Sequence, residues 1–284
     1  MTTRRSTPLT IAMLAALAYF LLPLCWLLIA STKSTQDLFN SFGLWFSHTP
    51  RLLANIRATL TQDDGVFVHW LLNTVLYAVV SAVGAALLAA AGGYGFAKFR
   101  FRGDRFTFNL VLGAVMVPTT ALAIPTYLLF AKAGLVNTPW AVILPSLVNP
   151  FGLYLMRIYA ADAVPDSILE AARIDGAGEA RIFFRIALRL LGPGLVTVLL
   201  FTLVATWNNY FLPLIMLNDP NLYPVTVGLA SWAAQAQNGG AGASSDMLAL
   251  VVTGSLLSLP AGGAWLLRVR VVPHPPAPQD PQAS

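Results

Sequence analysis

The sequence predicts an all-α integral membrane protein with six transmembrane helices and both termini in the cytoplasm. Three observations carry this. The 284 residues are 57% hydrophobic and only 10% charged, whereas soluble domains average about 45–50% apolar and about 25% charged. Six apolar segments reach the roughly 20 residues that a helix needs to cross a bilayer. The basic residues then fall on one side of those segments, as the positive-inside rule requires.

In chain order the spans are expected at about 9–30, 70–97, 106–130, 139–160, 194–217 and 247–267. No Asp or Glu interrupts their cores. A charge at a helix centre costs about 2.5–3.5 kcal/mol on the insertion scale, so the charged gaps mark the loops. The first span follows Arg4 and Arg5 and is longer than a signal-peptide core. Leu22-Pro23-Leu24-Cys25 is a weak match to a lipoprotein cleavage box, because Leu24 stands where a small residue is needed. An uncleaved first helix is expected. Cys25 is the single cysteine, so no disulfide forms within the chain, and it is expected as a small buried hydrophobe.

The second span carries small residues at four-residue spacing: Ala78, Ala82, Ala86 and Ala90, flanked by Ser81, Ala85, Ala89 and Gly93. Such a stripe lets backbones approach closely in lipid. It fits either ordinary packing within the chain or contact with a moving partner helix. Pro118, Pro125, Pro145, Pro150 and Pro213 fall within apolar runs, where each removes a backbone donor and can kink a helix.

With the N-terminus inside, the cytoplasmic set is Arg4, Arg5, Lys98, Arg100, Arg102, Arg105, Arg157, Arg173, Arg181, Arg185, Arg189, Arg268 and Arg270. Only Lys33, Arg51, Arg57 and Lys132 lie outside. The opposite orientation reverses this bias. The net charge of +5 is therefore topological, and no basic cluster points to nucleic acid. The outer loop 31–69 holds Phe39, Phe42, Leu44, Trp45 and Phe46, a segment suited to the membrane interface. The region 218–246 is expected as an outer loop with a flexible tip at Gly239-Gly240-Ala241-Gly242. Residues 1–270 thus form one transmembrane domain with a cytoplasmic loop at 161–193, and 271–284 form a Pro-rich disordered tail.

That cytoplasmic loop is the polar exception in an apolar chain. Ser167 to Glu170 has the form of a capping box, with Ser167 at the helix start and Glu170 reaching back. Ile168, Ala171 and Ala172 are expected on one face, with Glu170 and Arg173 on the other. Gly176 is a helix stop with positive φ. A second amphipathic stretch runs from Glu179 to Leu188. A helix, a sharp turn and a second helix below the membrane can serve as a docking element or rest on lipid.

The residues add a resemblance. Glu170, Ala171, Ala172, Asp175, Gly176 and Ala177, with Ile186 and Leu188 further on, resemble the EAA loop of ABC importer permeases, in the form typical of the carbohydrate-uptake branch. Met116-Val117-Pro118, Pro125, Gly134-Leu135-Val136-Asn137-Thr138, Pro145 and Trp207-Asn208-Asn209-Tyr210-Phe211-Leu212-Pro213-Leu214 are similar to the same branch, in order and spacing, from about residue 9 to 260. The resemblance implies the type I importer permease fold in a bacterial cytoplasmic membrane. It implies a second, related permease, a dimer of ATPase subunits and an extracytoplasmic solute-binding protein as partners, and sugar or oligosaccharide as cargo. It makes the six residues Glu170 to Ala177 named above the ATPase-coupling set. Two departures stand out. Arg189 replaces the family's Pro after Leu188, implying a straighter exit from the second loop helix, and beyond about Pro260 the similarity ends.

The chain carries no phosphate-binding loop of its own. In Gly92–Lys98 the pattern fails at Ala97 and Phe99. ATP is thus expected to be used by a separate partner, with no catalytic residue, cofactor or metal here. His48, His69 and His274 are too scattered for a metal site, and no acidic residue or histidine in a span offers a proton relay. The polar candidates for a substrate path are Asn73, Asn149, Trp207, Asn208, Asn209 and Tyr210. Amides bind sugar hydroxyls and aromatic faces stack on sugar rings. Interhelical hydrogen bonding and interfacial anchoring are the alternatives for these same residues. A lone secondary carrier or channel, an accessory scaffold, and a permease for another solute are the competing functions.

Overall fold

In the computed structural model, residues 7–239 and 246–268 are described, with side chains of the last helix described through 259. Arg4, Arg5, Gly240, Ala241, Gly242, Arg270, His274 and the tail lie outside the described residues. Every regular element among those described is helical.

Helix α1 (Thr7–Ala30) is apolar around its whole circumference, and Ala30 is its one buried residue. A helix of this kind is made for lipid or for another chain. Cys25, expected to be buried, is instead exposed, as is most of α1. The following segment is folded. Ser34 caps α2 (Thr35–Asn40) by accepting from the Asp37 amide. The buried Lys33 ammonium donates to Ser41 Oγ and the Phe42 carbonyl, both at 2.8 Å. Asn55 in α3 (Leu52–Thr61) donates to the carbonyls of Ser31 and Lys33 at 2.9 Å. Phe39, Phe42, Leu44, Trp45 and Phe46 are all exposed. Three successive left-handed residues, Asp63, Asp64 and Gly65, turn the chain into α4 (Val66–Lys98).

The segment 106–130 is two helices, α5 (Asp104–Ala114) and α6 (Ala123–Lys132). Pro118 offers no N–H, and the residue before it disfavours helix, so α5 stops short. Pro125 sits in the first turn of α6, where donors are unsatisfied anyway. The fourth expected span is α7 (Trp140–Leu147) and α8 (Pro150–Ala163), broken where Pro150 opens α8.

The polar segment 161–193 holds α9 (Asp166–Ile174), α10 (Glu179–Ile182), a π-helical turn over Phe183–Ala187 and α11 (Leu188–Leu190). α12 (Gly192–Trp207) is bent 78° from the preceding helical stretch. The straighter exit implied by Arg189 is not found. Pro193, four residues later, has no N–H to give the Arg189 carbonyl and supplies the break. The fifth expected span ends at Trp207 and restarts as α13 (Phe211–Met216). Where a loop was expected, α14 (Val225–Asn238) forms, and α15 (Met247–Arg268) follows. Gly239, the one described residue of the expected flexible tip, closes α14 at φ 58°.

By length and composition, three described stretches can cross a membrane: Thr7–Ala30, Leu52–Lys98 and Trp140–Ala163, with the bent pair as a possible fourth. α15 contributes an apolar stretch over Met247–Leu259.

The chain forms two units. Unit 1 comprises Met1–Tyr77, Ala123–Val142 and Trp207–Gly262. Its core joins Phe67 and Trp70 to Val225, Leu229 and Trp232 of α14 and to Met247 and Leu250 of α15. Trp70 and Trp232 lie 4.7 Å apart between ring centroids. Gly228 is required there, since a Cβ would stand 2.1 Å from the Trp70 ring. Unit 2 comprises Ala78–Leu122, Ile143–Thr206 and Gly263–Ser284. Its core packs Ala86, Ala89, Ala90 and Tyr94 against Met156 and Ala160 of α8 and against Leu169, Ala172, Ile182 and Ala187 below. The small-residue stripe is therefore used within the chain. A Cβ on Gly93 would stand 2.6 Å from the Arg157 amide nitrogen.

Candidate functional site

The polar segment 161–193, within unit 2, is the most built of the sequence-predicted sites. α9 starts earlier than the capping-box reading requires. Pro165 is the N-cap and no side chain caps the helix, so Ser167 lies inside the first turn. Pro165 fixes this register, and Asp166 at N1 places a carboxylate where the helix dipole favours it. That carboxylate accepts from Lys98 Nζ at 2.8 Å, tying the start of α9 to the end of α4. No sequence pattern signals this pair, because 68 residues separate its members.

The C-terminal end of α9 is as expected. Gly176 has φ 79°. Its N–H donates to the Arg173 carbonyl at 3.0 Å, and the Ala177 N–H donates to the Ala172 carbonyl at 2.9 Å. These are the paired bonds of a Schellman motif. Arg173 then reaches across the turn to Glu179, Nε to Oε1 at 2.7 Å. This hydrogen bond holds the guanidinium pKa above its ordinary value.

The faces of α9 differ from the expected ones. Leu169 and Ala172 are buried against α4 and α8, while Ile168 and Ala171 are exposed with Glu170. Ile174 is 86% exposed. The helix thus divides into an anchoring face and an outward stripe, Ile168, Ala171, Ile174 and Asp175, ending at Gly176. A Cβ on Gly176 would meet nothing within 4 Å. Of the six coupling candidates, Ala172 belongs to the anchor, Ala177 is half-buried, and Glu170, Ala171, Asp175 and Gly176 face out. Below them, Tyr94 and Phe183 bring α4 and the π-helical turn together, 5.3 Å between ring centroids.

The substrate-path candidates are dispersed. Asn149 is occupied on both arms: Oδ1 accepts from the Gly152 amide at 2.8 Å, and Nδ2 donates to Thr202 Oγ1 at 2.9 Å. Asn73 donates to the carbonyls of Asn221 and Tyr223 at 2.6 and 3.2 Å. Trp207, Asn208, Asn209 and Tyr210 lie together at the break between α12 and α13. Asn209 Oδ1 accepts from the Leu212 amide, and the Asn209 carbonyl accepts from Thr226 Oγ1. Sequence reasoning missed Asn137 as an organiser. It has φ 60°, and its Oδ1 accepts from the amides of Asn218 and Asp219, both at 2.9 Å. Its signal was the Gly134-Leu135-Val136-Asn137 string, since Gly and Asn are the residues that tolerate left-handed backbone.

Comparison with known proteins agrees with this architecture. Residues 82–264 match the family described as binding-protein-dependent transport system inner membrane component. The chain is 36% identical to the arabinooligosaccharides transport system permease protein AraQ of Halalkalibacterium halodurans, over 78% of each protein. It is 32% identical to the lactose transport system permease protein LacG of Rhizobium radiobacter, over 77% of this chain and 79% of that one. Its fold matches a chain from the crystal structure of a bacterial ABC transporter involved in the import of the acidic polysaccharide alginate, with TM-score 0.75 and 23% identity, over 94% of this chain and 97% of that chain.

Proposed function

This chain belongs to the family of binding-protein-dependent transport system inner membrane components, and on that premise we propose that it is the permease subunit of an ATP-driven importer of a sugar or oligosaccharide. The observation that carries the proposal is the Gly176-closed α9, anchored by Leu169 and Ala172 while its apolar stripe and Glu170 stay open. An anchored helix with an unfilled apolar stripe fits a cleft in a partner. In this reading the partner is an ATPase dimer, a second permease completes the path, and a binding protein delivers the solute. The relatives named for arabinooligosaccharides and for lactose support the solute class.

The proposed topology is six spans with both termini inside, the paired helices α5–α6, α7–α8 and α12–α13 each counting as one broken span. The basic residues support the orientation. The interrupted segment Trp207–Tyr210 is the proposed contact with sugar; within their own units Asn73 and Asn149 are engaged in hydrogen bonds that hold the backbone. ATP-driven closure of the ATPase pair pushes α9 and rocks the permeases between inward- and outward-facing states, a rigid-body alternating-access step.

The test is reconstitution. The chain, its neighbouring permease and their ATPase are placed in proteoliposomes with the binding protein and labelled arabinooligosaccharide or lactose. Uptake should require ATP and all partners. Uptake by the chain alone without ATP would make it a carrier, and ATP-driven uptake of only non-carbohydrate solutes would overturn the solute class.

A further inference from the structure

We propose that the groove between α5 and α8 seats an acyl chain of an anionic phospholipid whose headgroup is held by Arg105 and Arg157. The two helices pack against each other within unit 2. Between them lies an open groove of about 370 Å³, lined by Leu112, Val115, Met116, Phe151 and Tyr154. That volume is within the roughly 300–1,000 Å³ range of small-ligand clefts. The lining is apolar apart from the Tyr154 hydroxyl. Met116 is 86% exposed, because α5 has ended and the Pro118 break holds the chain open there.

One end of the groove is cationic. Phe108 stands 6.3 Å from Tyr154 between ring centroids, and the Arg157 guanidinium lies 3.9 Å over the Phe108 ring. Arg105 is exposed one helical turn before Phe108, on the same face. The three ion pairs among the described residues use Arg51, Lys98 and Arg173. None takes Arg100, Arg102, Arg105 or Arg157. Asp104, the acid nearest to Arg105, points its carboxylate at the Arg105 amide. Phe101 and Phe106 are exposed beside these arginines.

An apolar trough closed by two arginines, with exposed aromatics at the same level, complements a lipid with net negative charge. Basic residues immediately cytoplasmic of a span attract anionic headgroups, and long basic side chains reach the interface from within a span. The occupant is the lipid, since a purely apolar helix from a partner protein would leave the arginine charge unmatched. This reading goes beyond transport and requires only that α5 and α8 lie in a membrane.

The experiment places a benzophenone photoprobe at position 116 in the assembled transporter, reconstituted in vesicles of equal phosphatidylglycerol and phosphatidylcholine. Mass spectrometry identifies the adduct. Phosphatidylglycerol adducts should exceed phosphatidylcholine adducts. The ratio should fall roughly fivefold with Arg105→Gln and again with Arg157→Gln, and Arg157→Lys should retain most of it. Arg57→Gln should not change it. Arg105 is exposed, so its variant does not depend on refolding. Equal adduct yields in the wild type, a ratio unchanged by Arg105→Gln, or an adduct to a neighbouring protein chain would each overturn the proposal.

Discussion

Gly176 allows backbone strain and surface bulk to be separated. Its φ of 79° lies where a Cβ costs about 1 kcal/mol, yet that Cβ would meet no atom within 4 Å. Gly176→Ala should therefore cost only the backbone term, a factor of roughly five in the closure of the α9 turn. Gly176→Glu pays the same backbone term and adds a charged side chain on the outward stripe, with no further clash inside the chain. Both variants should insert in the membrane and pair with the sister permease. ATPase recovery on co-purification should be slightly lowered for Gly176→Ala and lost for Gly176→Glu, with solute uptake following in parallel. Normal recovery and uptake with Gly176→Glu would refute the assignment of this segment as the coupling element. Equal losses for both variants would show that the turn matters and the surface does not.

Gly228→Ala should force the buried Trp70 ring to move or α14 to shift, at a cost of about 1–3 kcal/mol, read as a lowered melting temperature in detergent. Asp166→Asn leaves the buried stem of Lys98 without its carboxylate. Because Asp166 is 76% exposed, solvent limits the loss to about 1 kcal/mol or less, detectable as faster hydrogen exchange in α9 only. In the segment after α1, hydrogen bonds from the Ser34 and Ser47 hydroxyls hold the Asp37 carboxyl below its ordinary value of 3.8. A depressed pKa stabilises the fold above the unfolded value, and that contribution fades as pH falls through the folded one. Exchange protection over residues 34–47 should thus be constant near neutrality and drop in acid, and Asp37→Asn should remove the pH dependence. Reporter fusions after residues 60, 103, 136, 175, 230 and 275 should alternate outside and inside, and an outside signal at 175 would defeat the proposed topology.

The parts of the fold that were legible in the sequence are those set by composition or by a residue with a unique backbone role. Hydropathy finds apolar segments because the membrane acts on their sum, and Gly176 could be assigned φ > 0 because only glycine ends a helix so cheaply. Hydropathy is blind to continuity. Pro118, Pro150 and the Asn208–Tyr210 break interrupt segments whose totals still look like spans. It also misfiled α14, whose 14 residues are too few to span but supply Val225, Leu229 and Trp232 to a core. On α9 Ile168, Ala171 and Ala172 were expected on one face, and the structure separates them: Ala172 is buried with Leu169 while Ile168 and Ala171 are exposed. A nine-residue helix leaves that rotation ambiguous until Lys98 and the floor of α4 and α8 are in place.

The anchoring of α9 also has a mechanical meaning. Leu169 and Ala172 share one close-packed cluster with Tyr94 near the end of α4 and with Met156 and Ala160 of α8. Close-packed interiors are nearly incompressible. A load on Ile168, Ala171 or Ile174 therefore has no soft layer in which to dissipate, and the helix acts as a stiff pushrod rather than a cushion. The Lys98–Asp166 tie braces one end of the rod, and the Arg173–Glu179 clasp keeps the other from unwinding. A push on α9 would be passed on, almost undiminished, to the parts of α4 and α8 packed in the same cluster.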